Sequence, residues 1–228
     1  MTASFFLAAD HRALDLLAVR ALLPAGIGDG ARICYVGAAH EDDRRWARDT
    51  IRRLETEIGL PCDAPRLSDP SLDVDAARHA IETAALIFLD GGDTVGLVAH
   101  AHARGLAEAF TRCARRDVVV AGVSAGSCAA APFTIGWDEA ERPLVAPCFS
   151  MGVPAPIDVH SEDDDWAEMR ILLELVRGRP EFAQDGIVIP TRSALVFDAK
   201  GKMSSRGKRP CERRRLDPDG SWRIEVIP

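Results

Sequence analysis

The sequence predicts an α/β fold: a doubly wound, mostly parallel sheet with helices on both faces and antiparallel strands near the C-terminus. Three observations carry this. Short apolar runs alternate with stretches of helical period through the first 133 residues. Runs such as "ALIFLD" (85–90) and "DVVVAGV" (117–123) lack polar alternation, as strands buried on both faces do. Late in the chain, the turn signals "DAKG" (198–201) and "DPDG" (217–220) lie among β-like runs.

The elements follow in order. "SFFLAA" (4–9) reads as a strand, and "ALDLLAVRALL" (13–23) as a helix ended by Pro24 and Gly26. "ARICYVGAA" (31–39) is a buried strand, and "DDRRWARDTIRRLETEIG" (42–59) an amphipathic helix with a glycine stop. Residues 64–67 suit a short strand and 73–83 a helix. "ALIFLDGGD" (85–93) is a strand followed by a helix to about Arg116, and 117–123 is the next strand. Beyond residue 133 the pattern changes. A helix is expected at 163–178, and "GIVI", "SALVFD" and "WRIEVI" read as strands joined by turns. No linker or repeat interrupts the chain, so one domain over 1–228 is expected.

Bulk properties narrow the function. Of 228 residues, 47% are hydrophobic and 28% charged, as in ordinary globular proteins. The net charge of −7 argues against a broad nucleic-acid surface. The basic run Lys200–Arg215 reads as a solvated hairpin. No apolar stretch of membrane-spanning length occurs, and the N-terminus lacks the pattern of a signal peptide, so a cytoplasmic location is expected. The six cysteines form no C-x-x-C pair and read as reduced, mostly buried thiols, so no metal is expected. No Walker-type or G-x-G-x-x-G phosphate loop is present, so no cofactor is expected either.

The chemistry centres on Gly122-Val123-Ser124-Ala125-Gly126. This fits the G-x-S-x-G elbow, in which a sharp strand-to-helix turn presents a serine hydroxyl and crowding demands small neighbours. The bland alternative is an ordinary glycine turn. The preceding apolar strand and following small-residue helix favour the elbow, since open α/β sheets bind ligands beyond the carboxyl ends of their strands. Serine needs a base. Of six histidines, His160 in "APIDVHSEDDDW" is the first choice, because it ends a β-like run before an acidic helix start. His40, which also ends a strand, is second. Asp138, Glu139, Asp158 and Asp163 are open as the carboxylate that would orient the imidazole. The N–H of Ala125 is an expected oxyanion donor, and Gly91 and Gly92 suit a second one. "GGDT" is equally a turn in which Asp93 or Thr94 caps a helix.

Four segments together resemble the dipeptidase E and cyanophycinase family of serine peptidases, whose fold is that of class I glutamine amidotransferases. They are "FLDGGDT", "AGVSAGS", "IDVHS" and "AEMRILLELV", in that order. The resemblance implies Ser124 as nucleophile, His160 as general base, and Gly92 and Ala125 as oxyanion donors. It implies that Arg170 binds the carboxylate of an N-terminal aspartate, and that Glu139, with Asp138 beside it, completes a triad. Two positions depart from the family. Asp93 stands where asparagine is usual, placing a carboxylate beside the oxyanion and substrate site. Thr191 stands where some relatives carry the triad glutamate. The expected activity is hydrolysis of small peptides, α-aspartyl dipeptides among them, by a monomer or homodimer. A small esterase and a non-catalytic binding module on the same scaffold are the alternatives.

Overall fold

The computed structural model describes residues 3–113 and 115–228. The first half alternates strand and helix as read. In order come β1 (Ser4–Ala8), α1 (Leu16–Ala21), β2 (Ile33–Val36), α2 (Arg44–Ile58), β3 (Cys62–Asp63), α3 (Val74–Thr83) and β4 (Leu86–Leu89). Next are α4 (Thr94–Ala103), α5 (Ala107–Cys113), β5 (Val119–Val123) and α6 (Ala125–Ala129). The helix expected to reach Arg116 is thus two helices. They are separated at Gly105, which takes φ +64°. Helix α2 starts where Asp43 accepts the Arg45 N–H and stops at left-handed Gly59.

The second half holds β6 (Phe133–Trp137), β7 (Pro143–Pro147), β8 (Ile157–Val159), α7 (Ala167–Val176), β9 (Asp185–Ile189) and β10 (Ser193–Phe197). It ends with β11 (Met203–Gly207), β12 (Glu212–Leu216) and β13 (Trp222–Val226). The main sheet has seven strands in the order β11-β10-β1-β5-β4-β2-β3. Five of these run parallel, and β10 and β11 are antiparallel additions at one edge. Alternate residues serve opposite faces: Phe5 and Leu7 join one core cluster, Phe6 and Ala8 the other. A sheet covered on both sides needs strands apolar at every position, which is why β1, β2, β4 and β5 read as continuous runs.

Two further features differ from the sequence reading. The expected strand at 64–67 is instead the two-residue β3, one step earlier; Pro65 has no N–H to donate to a ladder. The basic run is no hairpin. Strand β11 pairs with β10 in the main sheet, while β12 pairs with β9 and β13 in a four-stranded sheet ordered β13-β12-β9-β8. That second sheet packs on α7 through Met169, Leu172, Leu173 and Val176. Strands β6 and β7 form a separate hairpin. Among the described residues no helix is long and apolar enough to cross a membrane. The six cysteines are unpaired, five of them buried.

Candidate active site

Strand β5 ends at the carboxyl edge of the main sheet, and the chain turns at once into α6. Ser124 sits on that turn with φ +50° and ψ −117°, a conformation sparsely populated by residues with a side chain. The neighbouring glycines permit it. A Cβ at Gly126 would lie 2.0 Å from the Leu89 carbonyl oxygen, and one at Gly122 would lie 2.7 Å from the Ser127 amide nitrogen. The turn is held by the Ser124 N–H donating to Ala8 O at 2.9 Å. The Ser127 hydroxyl donates to the same carbonyl, also at 2.9 Å.

His160 follows β8 and is also left-handed, at φ +47°. Its N–H donates to Ile189 O on the neighbouring strand β9. The imidazole Nε2 lies 3.0 Å from Ser124 Oγ. Among the described residues no carboxylate hydrogen-bonds this imidazole, so the pair is a dyad here. Asp138 lies at the end of the β6–β7 hairpin, where it accepts the Arg142 guanidinium and the N–H groups of Ala140 and Arg142. Exposed Glu139 makes no bond to the histidine. Neither residue joins the pair, because a hairpin turn directs them to solvent and to Arg142. The Thr191 N–H is held by the Glu162 carboxylate at 3.0 Å.

The turn after β4 lies beside the elbow. The Gly91 N–H donates to the Asp90 carboxylate and the Asp93 N–H to Ala39 O at 2.7 Å. The Gly92 N–H, between them, has no acceptor among the described residues, and neither has that of Ala125. Gly92 takes φ +140°, and a Cβ there would lie 2.1 Å from Ala39 O. Asp93 caps α4, accepting the Val95 N–H at 3.0 Å, so the helix-cap reading holds for this residue. The other histidines stand apart. His11 and His40 bond within a cluster around Asp90, and His100 pairs with Glu41.

Ser124 and His160 face a cleft of about 470 Å³. Gly92, Ala125, strands β6 and β8, helix α7 and the start of α4 form its walls. Its charged lining is acidic: Asp93, Asp158 and Glu168, with no lysine or arginine. One Asp158 oxygen accepts the Ser161 hydroxyl, and the other is buried without a partner. Burial pushes the Asp158 carboxyl up to about 6; Glu168 and Asp164 add to the rise, and the Ser161 hydroxyl opposes it. Cys128 also lines the cleft, but burial raises its thiol well above the usual range.

Arg170 does not line the cleft. Its guanidinium donates to Gly220 O and Asp165 and lies 4.6 Å from the centre of the Trp222 ring. It ties α7 to the β12–β13 turn, so the substrate-anchoring role is not what this position does. Sequence reasoning missed Glu168 as a cleft residue. Its signal is helical spacing, since Glu168 and Leu172 are one turn apart on the face of α7 that meets the cleft.

A parallel α/β sheet with a strained serine at the strand-to-helix turn and a histidine at hydrogen-bond distance defines the class of serine hydrolases. The profile of peptidase family S51 matches residues 10–196, and the chain belongs to that family. It is a serine-type peptidase of the dipeptidase E kind. Among solved structures, a peptidase from an acI-B1 Actinobacterium matches with a TM-score of 0.74 at 18% identity, over 100% of this chain and 95% of that one. A protein from Listeria monocytogenes EGD-e assigned to peptidase E matches with a TM-score of 0.63 at 14% identity, over 92% of this chain and 100% of that one. These likenesses establish the fold. No protein of curated function matches the sequence.

Proposed function

We propose that the chain hydrolyses short peptides through an acyl-enzyme formed on Ser124. The observation that carries this is the 3.0 Å contact between Ser124 Oγ and His160 Nε2 at a strained elbow. As Oγ attacks the scissile carbonyl, Nε2 takes its proton, and the carbonyl oxygen gains negative charge. The free N–H groups of Gly92 and Ala125 would receive that oxyanion, the latter at the start of α6. The imidazolium then returns its proton to the leaving amine. Water, deprotonated by the same histidine, attacks the acyl-enzyme and frees Ser124.

Selectivity follows from the charges. An aspartyl side chain entering this cleft would meet Asp93, Asp158 and Glu168, with Arg170 committed elsewhere. We therefore propose peptides carrying positive charge beside the scissile bond, such as lysyl and arginyl dipeptides, in place of α-aspartyl ones. The test is turnover of a dipeptide panel by wild type and Ser124→Ala in parallel. Cleavage that depends on Ser124 and favours basic residues is expected. Cleavage restricted to aspartyl peptides would overturn the selectivity, and cleavage of short esters alone would overturn the peptidase reaction.

A further inference from the structure

Behind the elbow lies a polar cluster that the proposed reaction does not use. Asp90 follows the last residue of β4 and is 1% exposed. Its Oδ1 faces His11 Nε2 at 3.0 Å and accepts the Gly91 N–H at 2.8 Å. Its Oδ2 accepts the Tyr35 hydroxyl at 2.7 Å. His40 Nε2 lies 3.0 Å from that hydroxyl, while His40 Nδ1 accepts the Asp43 N–H at 3.1 Å. An acceptor Nδ1 leaves the proton on Nε2. The cluster is then a directed chain: His40 donates to Tyr35, and Tyr35 donates to Asp90. The fit is close, since a Cβ at Gly37 would come within 3.0 Å of both the His40 and Tyr35 rings.

A buried carboxylate is retained only when its oxygens are well bonded. Burial opposes its charge, yet hydrogen bonds from His11 and Tyr35, with the His40 ring 3.7 Å away, outweigh this and hold the Asp90 carboxyl well below the usual range. What the carboxylate fixes is the next turn. It takes the Gly91 N–H, Ala39 O takes the Asp93 N–H, and within this turn the Gly92 N–H is left without an acceptor among the described residues. The loop carrying Ala39 also carries His40, so both clamps on the Gly91–Asp93 segment lead back to the same cluster.

We infer that Asp90 is a positioning residue that sets the Gly92 N–H toward the oxyanion, with His11 and Tyr35 holding its carboxylate in place. This rests on the reading of Gly92 as an oxyanion donor. The sign of the effect separates positioning from charge. Neutralising a carboxylate behind an oxyanion site would, by charge alone, speed the reaction. Loss of positioning slows it.

The test compares Asp90→Asn and Tyr35→Phe with wild type, using fluorophosphonate labelling of Ser124 and steady-state turnover of the best dipeptide from the panel. Removal of an oxyanion donor costs on the order of 100- to 1,000-fold in kcat. A misdirected donor should cost Asp90→Asn about 10- to 100-fold in kcat and labelling rate. KM should change far less, as a merely structural loss would not require. Tyr35→Phe should show the same split, smaller in size. Variants that melt with wild type and keep kcat and labelling within about twofold would overturn the inference. Should Asp90→Asn fail to fold, Tyr35→Phe decides on the same criterion. Wild type that neither labels nor turns over would instead refute the underlying mechanism, so the two failures are distinguishable.

Discussion

Replacing Asp158 by asparagine should remove a pH-dependent strain from the cleft wall. In the folded protein this carboxyl sits at about 6, against an ordinary value of 3.8. Between those two values the folded state keeps a proton that the unfolded chain has released. Stability therefore falls as pH rises through this window; it is fullest below the lower value and reduced throughout the range above about 6. About two units at roughly 1.4 kcal/mol each give at most about 3 kcal/mol. The introduced amide also changes stability by a constant amount, because its NH2 group replaces an unpartnered buried oxygen of Asp158. That offset is the same at every pH and cancels when one pH is compared with another. The assay is denaturant unfolding of wild type and Asp158→Asn at half-unit steps from about pH 4 to 8. The variant should gain on wild type by up to about 3 kcal/mol across that range, or roughly 6–12 °C in Tm for a chain of this size. A difference that stays flat across the range would refute the assignment of a strained carboxylate, one of its oxygens unpartnered, to the cleft wall.

Four further outcomes are expected. Ser124→Ala should lower kcat by at least about a thousandfold, measured with the preferred dipeptide, because nucleophile and base act as a unit. Asp138→Asn and Glu139→Gln should keep kcat within about twofold, and a hundredfold loss in either would restore a triad. Gly92→Ala should destabilise the fold by more than about 2 kcal/mol and slow fluorophosphonate labelling, since its Cβ would lie 2.1 Å from Ala39 O at a positive φ. Arg170→Ala should lower stability by about 1–2 kcal/mol in thermal melts, through loss of its bonds to Asp165 and Gly220 and its stacking on Trp222, while KM for dipeptides stays unchanged.

The main sheet was legible because its central strands are apolar at every position, and the elbow because only small residues fit around Ser124. His160 could be picked from six histidines because a short strand delivers it just before an acidic turn. The second sheet was not legible. Strand β12 reads "ERRRL", a sequence with no apolar alternation, and it holds its place by pairing with β9 and β13. There Arg214 is buried between the Trp166 and Trp222 rings and bonded to Asp165 and Glu212. Such charge-and-ring packing is set by distant residues and has no period to detect. Arg170 failed as a substrate anchor for the same reason: its partners lie 5 and 50 residues away, and neither segment signals a contact with it. The Asp90 cluster escaped notice because it gathers residues from three strand ends. Its one local sign is an aspartate closing a fully apolar strand.

The two members of the reactive pair hang from different sheets. Ser124 is tethered by its amide to Ala8 in the seven-stranded sheet, and His160 by its amide to Ile189 in the four-stranded one. The sheets are joined covalently by two short links, β9 to β10, where Arg192 takes a left-handed turn, and β11 to β12 through residues 208–211. A slip of one sheet against the other by about 1 Å would open the serine–histidine contact and leave every ladder bond intact, and a misplacement of that size can cost a hundredfold in rate. Inactivation therefore does not require unfolding. On the mechanism proposed above, turnover would respond to a shift in inter-sheet registry that circular dichroism of the backbone would not register.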